Sequence, residues 1–142
     1  MKFMIMVRAN QQTEADAKPE EGLIAEMATF HEELAKAGAL VDAAGLQPSS
    51  KGWRIRYSGK KRSVVDGPYT ETKELIAGFW LIQVKSLDEA IEWVRRCPNP
   101  MESDSDIEIR QVFEPEDFGA EFTPELREQE ARIMAKASAN AT

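Results

Sequence analysis

Phe3, Ile5 and Val7 alternate with Met4 and Met6 in the opening segment KFMIMVRA. Spacing with a period of two predicts a β-strand, and two apolar sets predict cover on both of its faces. The polar run NQQTEADAK predicts a mobile loop. Pro19, followed by Glu20 and Glu21, marks a helix N-terminus, where proline loses no hydrogen bond and carboxylates meet the positive end of the dipole. Leu23, Ile24, Met27, Phe30, His31 and Leu34 then recur at helical spacing, and Gly38 stands at the C′ stop. ALVDAAGLQP reads as a second strand running into a loop. In WRIRY, Trp53, Ile55 and Tyr57 alternate with Arg54 and Arg56; SGKK turns the chain and RSVVD returns, which predicts a β-hairpin.

ELIAGFWLIQVK predicts a long strand with Ile76, Trp80, Ile82 and Val84 on one face and Ala77, Phe79 and Leu81 on the other. Gly78 allows a neighbouring backbone or ring to come close. Ser86 and Glu89 have capping-box spacing and open a helix whose inner stripe is read as Leu87, Ala90, Ile91 and Val94. Arg95 and Arg96 suit its C-terminus, and Pro98 and Pro100 end it. DIEIRQVF predicts a last strand. Thr123 before Pro124 caps a terminal helix whose stripe of Leu126, Ile133, Met134 and Ala137 is too thin to hold a helix that is not docked.

The resulting order is β-α-β, hairpin, β-α-β, tail helix. Two βαβ units around one antiparallel sheet predict an α+β, ferredoxin-like subunit. Helices cover only one face of such a sheet, so the second apolar face needs a cover, and a second copy of the chain related by a two-fold axis is the simplest one. The expected division is a ferredoxin-like domain over residues 1–122 and a helix over 123–142 packed on that domain or on the dimer partner.

A chain of 142 residues suffices for one domain with a core of its own. The net charge of −7 argues against a nucleic-acid partner, because such a surface repels phosphate. Cys97 is the single cysteine, which precludes an internal disulfide, and it reads as a small hydrophobe. The opening residues lack a signal-peptide pattern and no apolar run reaches membrane-spanning length, so a cytoplasmic location is expected. No Cys/His constellation, phosphate-binding glycine loop or nucleophile motif points to a metal or cofactor.

Chemistry gathers in VVDGPYTETKE, residues 64–74. Asp66 has two readings. Its carboxylate could accept amide hydrogens from the turn that follows, the reading we favour, or act as a general base at a strand end. His31, the sole histidine, is either a satisfied helix residue or the partner of Asp66 in an acid–base pair. Lys51, Arg54, Arg56, Lys60, Lys61 and Arg62 make the hairpin basic, and Arg54 and Arg56 share a face that could grip a small anion. Tyr69 and Trp80 could line a cleft or fill the core, while Glu71, Lys73 and Glu74 are read as a charged network at the turn or a pocket rim. Glu102, Asp104, Asp106 and Glu108 lack metal-loop spacing and read as a solvated loop entering a strand.

The segment DGPYTETKELIAGFWLIQVKSLDEAIEWVRRCPNP, together with GLQPSS before it and DIEIRQVFEPEDFG and TPELREQE after it, resembles the YCII-related proteins in the branch named for an Asp-Gly-Pro-Phe motif. Tyr69 stands where that motif has phenylalanine, and the position of His31 is often asparagine in that branch. The resemblance implies a dimeric α/β-barrel of ferredoxin-like subunits and a signalling context beside extracytoplasmic-function sigma factors. It also implies, from relatives proposed as enzymes, a His–Asp pair. The favoured expectation is a small-ligand-binding or regulatory homodimer. The alternative is an isomerase-, lyase- or dehydratase-type enzyme with Asp66 as base and His31 or Tyr69 as acid.

Overall fold

The computed structural model describes residues 1–140. It resolves into two compact units, Met1–Gln111 and a C-terminal unit beginning at Val112. The first unit carries strands β1 (Lys2–Arg8), β2 (Leu40–Gly45), β3 (Trp53–Ser58), β4 (Lys61–Asp66), β5 (Ile76–Gln83) and β6 (Ile107–Gln111). Its helices are α1 (Gln11–Glu14), α2 (Glu21–Lys36) and α3 (Leu87–Arg96).

Four strands form an antiparallel sheet in the order β2-β5-β1-β6, and β3 pairs with β4 in a separate two-stranded ribbon. Without the ribbon, the order of strands and helices is ferredoxin-like. Cross-strand register decides which side chains share a face. Ile5 lies between Trp80 and Ile109, and Phe3 lies opposite Ile82, so the odd residues of β1 meet the even residues of β5. That face forms the core with Phe30 and Leu34 of α2 and Ala90 and Trp93 of α3. Met4 opposes Leu81 and Met6 opposes Phe79 on the other face, where all four are half-buried.

Local signals hold in several places. Ser86 Oγ accepts from Glu89 N at 3.1 Å, and Gly38 has φ +70° just past the end of α2. A Cβ on Gly78 would lie 3.0 Å from Ala44 O, the close approach that a strand glycine suggests.

Other expectations need correction. NQQTEADAK is not a loop throughout: Asn10 Oδ1 accepts from Thr13 N and Thr13 Oγ1 accepts from Asn10 N, both at 2.9 Å, and this capping box opens α1. The α3 capping box is displaced, because Glu89 Oε2 accepts from Lys85 N at 2.9 Å rather than from the Ser86 amide. The α3 stripe holds at Ala90 and Val94 but not at Leu87. Leu87 is 49% exposed, whereas Trp93 is buried against Phe30 with ring centroids 6.3 Å apart. A tryptophan offers more apolar area than a leucine, so the helix turns its largest side chain inward.

The C-terminal unit contains a 3₁₀ segment (Pro115–Glu121), kinked at Gly119 where φ is +73°, and α4 (Pro124–Asn140). Thr123 Oγ1 accepts from Leu126 N at 3.3 Å as the sequence predicts. Phe118 contacts both Phe113 and Phe122, with centroids 4.9 and 5.6 Å apart.

Candidate functional site

The first unit contains an open groove of about 1210 Å³. Leu23, Ile24 and Met27 of α2 line it along with β2 and the Leu46–Pro48 segment that follows. The helically spaced apolar positions of α2 are divided between two tasks. Phe30 and Leu34 enter the core, while Ile24 remains 54% exposed in the groove wall. His31 and Trp80 line the groove together, and Trp80 Nε1–H donates to His31 Nε2 at 2.7 Å. Phe30 meets the Trp80 ring edge-on at 6.1 Å and 89°.

Charged residues line the groove as well. Asp16, in the left-handed region at φ +61°, receives a 2.6 Å hydrogen bond from Lys18, which holds its carboxyl below the usual carboxylate range. Partial burial opposes this effect, and Lys51 at 3.6 Å reinforces it.

The Asp-Gly-Pro-Tyr turn is built differently from expectation. Asp66 ends β4 opposite Trp53 and is exposed. Among the described residues its carboxylate makes no hydrogen bond, so the reading in which it accepts the turn amides is overturned. Ser49 takes that role: its Oγ accepts from Tyr69 N at 3.0 Å. Ser49 is in turn held by Glu14, whose Oε1 accepts from Ser49 N at 3.1 Å and whose Oε2 accepts from Ser49 Oγ. Gly67 N donates to Gly52 O at 3.0 Å, and a Cβ on Gly67 would fall 1.7 Å from Ser49 O. The glycine is therefore required by a backbone pressed against it, and the Gly67–Pro68 peptide that follows is cis. Tyr69 closes the turn, donating its hydroxyl to Val65 O at 2.7 Å with the Arg54 guanidinium 3.7 Å above its ring.

The sequence-predicted residues thus fall into two places. His31 and Trp80 come together in the groove, and Arg54 and Tyr69 come together at the turn. Asp66, Arg54, Arg56, Tyr69 and Glu71 are not among the groove's lining residues, and no hydrogen bond joins Asp66 to His31. Arg56 and Glu71 are exposed, and Glu71, Lys73 and Glu74 form no ion pair among the described residues, so the expected charged network is absent there. Glu108 pairs instead with Arg8 at 3.4 Å and Arg110 at 3.6 Å. The ribbon that carries Arg54 leaves Trp53 68% and Tyr57 70% exposed.

Glu14 and Ser49 were missed as turn residues. The Asn10-x-x-Thr13 spacing could have signalled α1, and hence that Glu14 is held on a fixed element. Nothing local in the sequence links Glu14 to Ser49, 35 positions on. Cys97, the C-cap of α3, is half-buried, and desolvation pushes its thiol up to about 11.

Among the described residues no helix is long and apolar enough to cross a membrane. A family model described as the YCII-related domain matches residues 1–116. An uncharacterised protein of Rhizobium meliloti (strain 1021) is 35% identical over 101 residues, spanning 70% of this chain and 82% of that protein.

Proposed function

The chain belongs to the YCII-related family, and we propose that it acts as a homodimer that binds a small, largely apolar molecule in the groove between α2 and β2. One observation carries this reading: a groove of about 1210 Å³ with apolar walls is furnished with a single imidazole–indole pair. Ligand sites commonly combine an apolar surface with a few fixed polar groups, and their usual volumes are somewhat smaller, about 300–1,000 Å³. A regulatory role rests on the family resemblance alone.

The homodimer reading rests on the second sheet face. Met4, Met6, Phe79 and Leu81 form an apolar cluster in the middle of the sheet, the kind of surface that a two-fold partner covers. Face-to-face packing of two such sheets is the dimeric α/β-barrel arrangement.

An anionic ligand, if one binds, suits the ribbon better than the groove. Arg56 is exposed there, and Arg54 lies over Tyr69. The isomerase- or lyase-type reading has no comparable support: Asp66 lines no groove beside His31, and the Tyr69 hydroxyl is engaged by Val65 O.

The test uses N-phenyl-1-naphthylamine, a neutral apolar dye that fluoresces when it leaves water. Saturable binding by the wild type and at least tenfold weaker binding by a folded Ile24→Glu variant are expected. Equal binding by the two proteins would place the dye elsewhere and remove the groove reading.

A further inference from the structure

We infer that the groove recognises an apolar molecule bearing a neutral hydrogen-bond acceptor, such as a ketone or ester carbonyl, which takes its hydrogen bond from His31 Nδ1–H. This inference rests on the groove reading above and names the chemistry of its ligand.

The argument starts from the indole. A tryptophan ring nitrogen can only donate, so the imidazole atom 2.7 Å from Trp80 Nε1 must carry a lone pair. That atom is His31 Nε2. A neutral imidazole with its lone pair on Nε2 carries its proton on Nδ1, and a protonated ring would present N–H to N–H. The contact with Trp80 therefore selects the tautomer that carries its proton on Nδ1. Trp80 itself is well held. It is only 7% exposed, lies in β5, and is braced by Phe30 at its ring.

The fixed tautomer leaves a donor free. Among the described residues the bond from Trp80 is the only hydrogen bond at the His31 ring. Among the described residues no buried side-chain nitrogen or oxygen lacks a partner, so Nδ1 is not sealed in the core. Nδ1 is thus an unsealed N–H, without a partner among the described residues, on a half-buried side chain that lines the groove. A ligand acceptor seated there would complete a chain from Trp80 N–H through the imidazole, and such chains strengthen one another in a low-dielectric setting.

Charge selects between kinds of acceptor. The groove is lined by Asp16, Glu20, Asp42 and Glu102 against one ammonium, Lys18, which is already bonded to Asp16. A carboxylate ligand would enter a field of its own sign. A neutral carbonyl would not, which separates this site from the basic ribbon.

Two measurements test the inference. The chain has one histidine, so its side-chain nitrogen spectrum contains a single imidazole. A long-range ¹H–¹⁵N correlation at neutral pH should show the protonated, pyrrole-type nitrogen at Nδ1; a proton on Nε2 would overturn the proposal. The second measurement compares 2-nonanone with 2-methyl-1-nonene, which replaces the carbonyl oxygen with CH₂, as competitors for bound N-phenyl-1-naphthylamine. The ratio of ketone to alkene affinity should fall roughly fivefold in His31→Phe, the loss of one ordinary hydrogen bond. His31→Gln, which keeps an N–H donor, should recover part of it. Nonanoate should compete less well than the ketone. An unchanged ratio in His31→Phe, or a preference for nonanoate, would overturn the inference while leaving apolar binding intact. Failure of the dye to bind at all would instead remove the groove reading and this inference with it.

Discussion

Gly67 and Asp66 are neighbours with opposite tolerance. The missing side chain of Gly67 makes room for Ser49 O, which a Cβ would meet at 1.7 Å between two backbones that cannot swing aside. Gly67→Ala should therefore destabilise by about 1–3 kcal/mol, the usual range for forcing extra volume into a packed site. Asp66 is exposed and makes no side-chain hydrogen bond among the described residues, so Asp66→Ala should stay within about 0.5 kcal/mol of wild type. Urea midpoints of the two variants check this pair, and a larger loss for Asp66→Ala would restore a structural role to its carboxylate. Cys97 makes a separate residue-scale prediction. Burial disfavours its thiolate and moves its pKa from 9.0 to about 11. At pH 8 the reactive anion should be about a hundredfold scarcer than for an unperturbed thiol. Labelling by iodoacetamide should be correspondingly slow in the native protein and fast in urea.

Among the elements, α1 shows how a four-residue helix acquires a task. Too short to persist alone, it is closed by the Asn10–Thr13 capping box and presents Glu14 to Ser49, which holds the amide of Tyr69. Asn10→Ala should cost about 1 kcal/mol, and Ser49→Ala about as much through the unpaired Tyr69 amide. Because both act on one chain of hydrogen bonds, the double variant should lose measurably less than the two single losses combined. Strict additivity in chemical denaturation would mean that α1 and the turn are independent. The α3 helix illustrates a different point. Its expected stripe holds at Ala90 and Val94, whereas Leu87 is exposed and Trp93 is buried, because packing against Phe30 draws the larger ring inward.

For the molecule as a whole, the apolar face around Leu81 carries the homodimer proposal. Leu81→Lys places a charge opposite Met4 on that face, and Leu81 does not line the groove. Light scattering should give twice the 15.9 kDa chain mass for the wild type and a single chain mass for the variant, with the far-ultraviolet circular dichroism of the two unchanged. A wild-type monomer at micromolar concentration would contradict the proposal.

The sequence by itself determined the strands of the main sheet and the faces of β1 and β5. A period-two or helical apolar pattern is a local property, and burial rewards the same spacing that the backbone geometry imposes. Ser86, Gly38 and Thr123 were legible for the same reason, since a cap or a left-handed stop satisfies backbone groups within a few residues. The tertiary structure alone decided the relations between distant segments. Glu14 meets Ser49, Ser49 O presses on Gly67, and the Trp80 indole finds the His31 imidazole 49 positions away. These hydrogen bonds depend on distances of about 3 Å between elements whose approach is set by packing of the whole core, and no local pattern encodes that approach. The Asp-Gly-Pro-Tyr motif thus announced a turn, whereas its partners and the separate groove became visible only once the chain was folded.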